Sequence, residues 1–247
     1  MVIPDAGLRL QRELQNIFSG RLQSIVIYGQ RAHAHQAQDQ HHGHSAHGRA
    51  APIRTLAVVE SLTKDDLQAC AALVASWHDA GLATPLLIAA GEFGQSLDAF
   101  PLEFGAILAD HVVVSGSDPF ASLAVDAADV RRACEVQARS HLLHLREGFL
   151  ETRGRADALS VLIVQSAPAF AALATSIARL EGRASDDPLA AARHVERILN
   201  LPGGAVTEVT SLVGVQEITS EEAERIFPAY LHAVERLVAY VNGWGAR

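Results

Sequence analysis

From Asp118 to its end the sequence supports helix almost everywhere and strand almost nowhere, whereas before that point short apolar runs stop repeatedly at glycine or proline. That contrast predicts two parts of different architecture. In the second part, 126–152, 157–180, 188–199 and 220–241 read as long helices, separated by Gly154, Gly182 and the Pro202-Gly203-Gly204 turn. Ser220 followed by Glu221, Glu222 and Glu224 reads as an acid-rich helix start, although Ala223 holds the capping-box position counted from Ser220. In the first part, Leu8, Leu10, Leu14 and Ile17 recur at helical spacing and Gly20 can end that helix. Leu22–Tyr28 (LQSIVIY) is a strand that stops at Gly29, and 54–60 (RTLAVVE) is a second. Thr63 is a candidate N-cap for a helix running to about Ala80, with Asp65 and Asp66 in the first turn where the helix dipole favours acids. Residues 85–89 read as a third strand, Leu102–Leu108 as a fourth and Val112–Val114 as a short edge strand. The expected fold class is α+β. A mixed sheet flanked by helices spans 1–120, and an all-α bundle spans 121–247, with the boundary falling near 118–126.

Composition narrows the function classes. The 247 residues are 49% hydrophobic and 19% charged, enough apolar side chain for a real core. A formal net charge of -8 argues against nucleic-acid binding through overall charge. Cys70 and Cys134 stand far apart without a CxxC, so they read as buried free thiols rather than as a disulfide or zinc framework. No run reaches about 18 consecutive apolar residues and the N-terminus lacks a signal-peptide core, so neither a membrane span nor export is expected. The expected location is the cytoplasm. Lys64 is the only lysine beside nineteen arginines, which points to a GC-rich bacterial source.

The stretch Ile25–His33 (IVIYGQRAH), a strand ending in glycine with a second strand after it, resembles the nucleotidyltransferase fold of the β-type DNA polymerases and the small antibiotic-modifying transferases. Residues 98–104 (DAFPLEF), the Gly116-Ser117-Asp118-Pro119 turn and 141–150 (HLLHLREGFL) add to the likeness, as does a transferase domain followed by a helical bundle. In that family the first strand ends in Gly-Ser, whose backbone N–H groups approach the nucleotide phosphates. An Asp-x-Asp or Asp-x-Glu pair on the next strand holds two Mg²⁺ ions. The resemblance therefore implies nucleotide contact at Gly29 and Gln30. It also implies carboxylates near Ile53 and Thr55, and a third acid on a later strand.

The chain departs from that pattern. Gln30 replaces the family serine, neither slot on the second strand is acidic, and Glu103 is the candidate for the later acid. Asp39 lies at a suitable distance from Gly29 but has no partner acid two residues on. Without the metal ligands most of the electrostatic catalysis of phosphoryl transfer is lost. The expected function is a degenerate, non-catalytic nucleotidyltransferase-like protein binding a nucleotide or a protein partner. One alternative is an active Mg²⁺-dependent nucleotidyltransferase using Gly29, Asp39 and Glu103. A homodimer through the leucine-rich bundle is a further candidate association.

Where the active-site loop belongs, the chain carries His33, His35, His41, His42, His44 and His47, six of its twelve histidines within fifteen residues. Such a tract can wrap Zn²⁺, Ni²⁺ or Cu²⁺ without a preformed cavity, which makes transition-metal binding the second alternative. Arg139 and His144 form an R-x4-H spacing similar to that of helical ribonuclease domains. The competing reading is a charged helix face with pairs such as Glu135–Arg139. Ser115-Gly116-Ser117 lacks a nucleophile elbow. Trp77 reads as packing, His78 as surface, and Pro168, beside Gln165 and Ser166, as a helix kink.

Overall fold

The computed structural model describes residues 3–29, 52–183 and 187–246. Contacts divide the chain into two compact units, Met1–Val125 and Asp126–Arg247.

The first unit is a four-stranded mixed sheet with helices on both faces. β1 (Leu22–Tyr28) lies between β2 (Arg54–Val59) and β4 (His111–Gly116), antiparallel to both. β3 (Leu86–Ala89) pairs parallel with β2, giving the order β3-β2-β1-β4. Because side chains alternate along a strand, the buried residues of β1 and β2 divide cleanly between the two faces. Ile25, Ala57 and Val59 join Leu10, Leu14 and Phe18 of α1 (Asp5–Phe18) and Trp77. Val26, Leu56 and Val58 join Ile88, Phe93, Phe104, Ile107 and Phe120 on the other side. A strand with both faces covered is apolar throughout, which is why LQSIVIY and RTLAVV read as continuous runs.

The helix after β2 starts where the sequence predicts it. Thr63 caps it, and Asp66 returns the contact from the third helical position to the Thr63 backbone N–H at 2.9 Å. The expected single helix to Ala80 is instead two, α2 (Lys64–Ala71) and α3 (Val74–Asp79). Trp77 is buried, and its Nε1–H donates to Glu13 at 2.6 Å, tying α3 to α1. After β3 come α4 (Ala90–Ala99) and α5 (Pro101–Ala109). Leu102–Leu108 is therefore helix and not a strand. Pro101 opens the helix, where its missing N–H costs nothing, and Phe104 and Ile107, three apart, are buried together against the sheet. A short apolar run alone does not distinguish the two periods.

The second unit contains α6 (Ala127–Thr152), α7 (Ala156–Leu180), α8 (Pro188–Leu199), α9 (Ala205–Ser211) and α10 (Ser220–Asn242). α7 is long and apolar enough to cross a membrane by length and composition, and half of its most apolar stretch is buried inside the protein. Its buried Ile163, Phe170, Leu173 and Ile177 make it the core helix of the bundle. The N-cap of α10 is Thr219, one residue before the expected start, so Glu222 occupies the third position and completes a capping box. Both cysteines are buried and unpaired, and burial pushes the Cys134 thiol up to about 12.

Asp66 accepts two hydrogen bonds from Arg21 at 2.7 and 2.8 Å, and others from Thr63. These partners hold its carboxyl far below the ordinary carboxylate range. The folded state therefore binds a proton at Asp66 less readily than the unfolded chain. The stabilisation is complete above the unfolded value of about 4 and is lost as pH falls below it. Asp66→Asn should lower the melting temperature at pH 7, and the gap from wild type should narrow steadily below about pH 4. A gap independent of pH would show that the ion pair contributes nothing.

Candidate functional site

β1 ends at Gly29, which adopts φ +70°, a left-handed conformation that residues with a Cβ rarely take. Its N–H donates to the backbone carbonyl of Asp110 at 3.0 Å, fixing the end of β1 against the turn into β4. On the other side, Tyr28 is registered opposite Arg54, the first residue of β2. The Arg54 guanidinium lies 5.1 Å from the centre of the Tyr28 ring, a cation–π arrangement. It also crosses the face of Gly29 so closely that a Cβ there would sit 2.5 Å from Nη2. Gly29 thus serves two ends, the tight turn and the room for the guanidinium.

Burial raises the Tyr28 phenol above its ordinary value; the Arg54 charge opposes that shift and the Glu103 carboxylate adds to it. Glu103 is therefore within electrostatic reach of this corner. It arrives there from the first turn of α5 and not from a strand. The corner of the sheet brings together Tyr28, Gly29, Arg54 and the Asp110 backbone, with the Glu103 charge acting on Tyr28. Neither Arg54 nor Asp110 is among the residues the family resemblance points to, which are the carboxylate positions at Ile53 and Thr55. Their signal is positional: Arg54 pairs across from Tyr28 on β2, and Asp110 immediately precedes His111, the partner of Tyr28 on β4.

Gln30, Asp39 and the histidines His33, His35, His41, His42, His44 and His47 lie outside the described residues. Among the described residues, no group of three His, Cys, Asp or Glu side chains converges as a metal site would require. His111, at the start of β4, places Nδ1 3.1 Å from the Ile107 carbonyl and Nε2 3.1 Å from Asp118.

The other sequence candidates are accounted for within their own units. Arg139 donates to Asn242 at 2.8 and 3.1 Å instead of pairing with Glu135. His144 is exposed beside Glu147, so the R-x4-H residues engage separate partners. Ser166 turns into the bundle, where Tyr230 donates to it at 3.0 Å and it donates to the Ile163 carbonyl at 3.0 Å. His141 completes this buried chain, with Nε2 2.6 Å from the Tyr230 oxygen and its ring stacked on Phe170. Since the Tyr230 hydrogen is given to Ser166, His141 Nε2 is the donor.

No protein-family model matches the chain, and no curated protein does. A solved structure does: the crystal structure of spectinomycin adenyltransferase AAD(9) from Enterococcus faecialis with ATP and spectinomycin. The match has a TM-score of 0.58 and covers 94% of this chain and 98% of that one, at 11% sequence identity. The fold is nucleotidyltransferase-like. A likeness at this identity is one of fold, and the chemistry has to be argued from the corner described above.

Two expectations follow. Gly29→Ala should destabilise the protein by about 1–2 kcal/mol in urea unfolding, from the left-handed backbone and the displaced guanidinium. Arg54→Ala in the same chain should restore part of that loss, and strict additivity would show that the close approach costs nothing. In the bundle, burial and the neighbouring His144 push His141 down to about 4. The unfolded imidazole takes its proton near 6.5, so acidification from about 6.5 to 4 favours unfolding, by up to ~1.4 kcal/mol per pH unit. His141→Gln should flatten that part of the melting-temperature profile, whereas an unchanged slope would place the effect elsewhere.

Proposed function

We propose that this chain is a nucleotidyltransferase-fold protein that binds a nucleotide at the Gly29 corner without carrying out two-metal nucleotidyl transfer. The observation that carries the reading is Arg54. By the resemblance the metal-holding carboxylates would stand at Ile53, just before the second strand, and at Thr55; neither is acidic, and the Arg54 guanidinium between them lies against Gly29 and Tyr28. A fixed cation there neutralises phosphate oxygens directly, through the planar fork that suits them, and repels a divalent ion. Glu103, a single carboxylate on a helix, supplies charge to the corner but not a pair of ligands. Support for a nucleotide comes from the structural neighbour, whose crystal structure contains ATP. The source and compartment that accord with this reading are a bacterial cytoplasm.

The test is ATP binding by calorimetry in EDTA and again with Mg²⁺. Binding in EDTA is expected, and Arg54→Ala should weaken it roughly 10- to 100-fold, the range of a charge-assisted phosphate contact. Binding that appears only with Mg²⁺, or release of pyrophosphate with an acceptor present, would replace this reading with active nucleotidyl transfer.

A further inference from the structure

The helical unit contains an open basin of about 680 Å³ at the C-terminal end of α8 and the turn that follows it. Arg183, Arg193 and Arg197 line it, together with Glu196, Leu201 and Gly203. Arg193 and Arg197 are one helical turn apart on the same exposed face of α8. Arg197 folds back along the helix, its Nε donating to the Arg193 carbonyl at 3.4 Å and its Nη2 lying 3.4 Å from His194 Nδ1. The one acid in the lining is already committed. Glu196 accepts from the Thr207 N–H at 2.8 Å and from the Thr207 hydroxyl at 2.9 Å, pinning the start of α9. Asp187, near Arg183 in sequence, accepts from the Leu189 N–H as the cap of α8.

The contrast with the rest of the unit is what makes the cluster informative. Arg132 pairs with Asp129, Arg146 with Glu235, and Arg225 with Glu208 at 2.6 Å. Arg139 is held by Asn242, and Arg236 by the Leu199 carbonyl. In a chain with eight more formal negative than positive charges, acids are available, and they neutralise Arg132, Arg146 and Arg225. Three like charges gathered in one concavity with no carboxylate of the described residues pairing them repel one another. An anion relieves that repulsion.

We propose that this basin is an anion site for the phosphate groups of a small phosphorylated ligand, separate from the Gly29 corner. Its volume is on the scale of small-ligand sites. Guanidinium forks match phosphate oxygens two at a time, and a chain of two or three phosphates can engage all three arginines. The lining carries no aromatic side chain, so the site recognises phosphate and not a stacked base. That also sets it apart from single-stranded nucleic-acid grooves, which combine positive charge with stacking platforms.

The experiment is a titration of the protein with inorganic tripolyphosphate at about 50 mM salt, where exposed charges are screened less than at physiological ionic strength. Wild type is expected to bind, with at least a tenfold loss in the Arg193→Ala/Arg197→Ala double variant and a smaller loss in Arg183→Ala. These side chains are exposed, and circular dichroism checks that the fold is retained. Arg146→Ala, which removes an arginine paired within the same unit, should leave affinity unchanged, and the same losses should appear in the Arg54→Ala background, where phosphate bound at the other candidate site no longer contributes. ATP should compete with tripolyphosphate in the Arg54→Ala protein, showing that phosphate alone is read. Equal losses in the double variant and in Arg146→Ala would reduce the effect to net charge and overturn the site. Loss only in Arg54→Ala would do the same. A single-stranded RNA oligomer bound through Arg193 and Arg197, with no binding of tripolyphosphate, would overturn the small-anion assignment in favour of nucleic acid.

Discussion

The architecture of the sheet unit depends on the double antiparallel pairing of β1. Its backbone is satisfied on both sides by β2 and β4, and both its faces are covered, so its residues have no freedom to slip register without turning core side chains outward. That fixes where the strand ends. Gly29 sits at the end with its N–H held by the Asp110 carbonyl, and Arg54 falls opposite Tyr28 because the register leaves it nowhere else. The candidate site is a consequence of strand pairing before it is a matter of any side chain's reactivity.

That placement separates scaffold from chemistry. A nucleotidyltransferase sheet is an arrangement of strands that brings a glycine turn beside the edge of a neighbouring strand, and this chain retains it with 11% identity to a structure of the same fold. What occupies the edge decides what the corner can hold. A guanidinium favours an anion directly, whereas a pair of carboxylates favours it only through bound cations. The helical unit follows a different logic: a buried apolar helix, α7, beside a buried polar chain in which His141 donates to Tyr230, Tyr230 to Ser166 and Ser166 to the Ile163 carbonyl.

Much of the fold was legible in the sequence because most of its elements have unambiguous periods and stops. β1, β2 and β3 and four of the bundle helices lie within a few residues of where apolar spacing and glycine placed them. The failures have specific causes. LEFGAIL carries apolar residues at spacings compatible with either period, and Pro101 is the signal that settles it as helix. The capping box of α10 is hidden because Ser220 and Thr219 are both good caps, and only with Thr219 as the cap does Glu222 fall at the third position. Arg54 carries no signal in a pattern defined by carboxylates, since its charge is the opposite one. The arginine basin has no local signature at all: Arg183 and the Arg193–Arg197 pair meet only through the folded course of the chain into α8 and the turn beyond it.

On the proposed reading, the Gly29 corner receives a nucleotide through the cation of Arg54. The most direct measurement follows the Gly29 amide and the Arg54 Nε–H by ¹H–¹⁵N correlation spectroscopy while ATP is added in the presence of EDTA. Both signals should move together and saturate at one affinity, since both groups border the same phosphate position. Signals that stay in place until Mg²⁺ is supplied, or shifts elsewhere in the chain while these two remain still, would contradict the account.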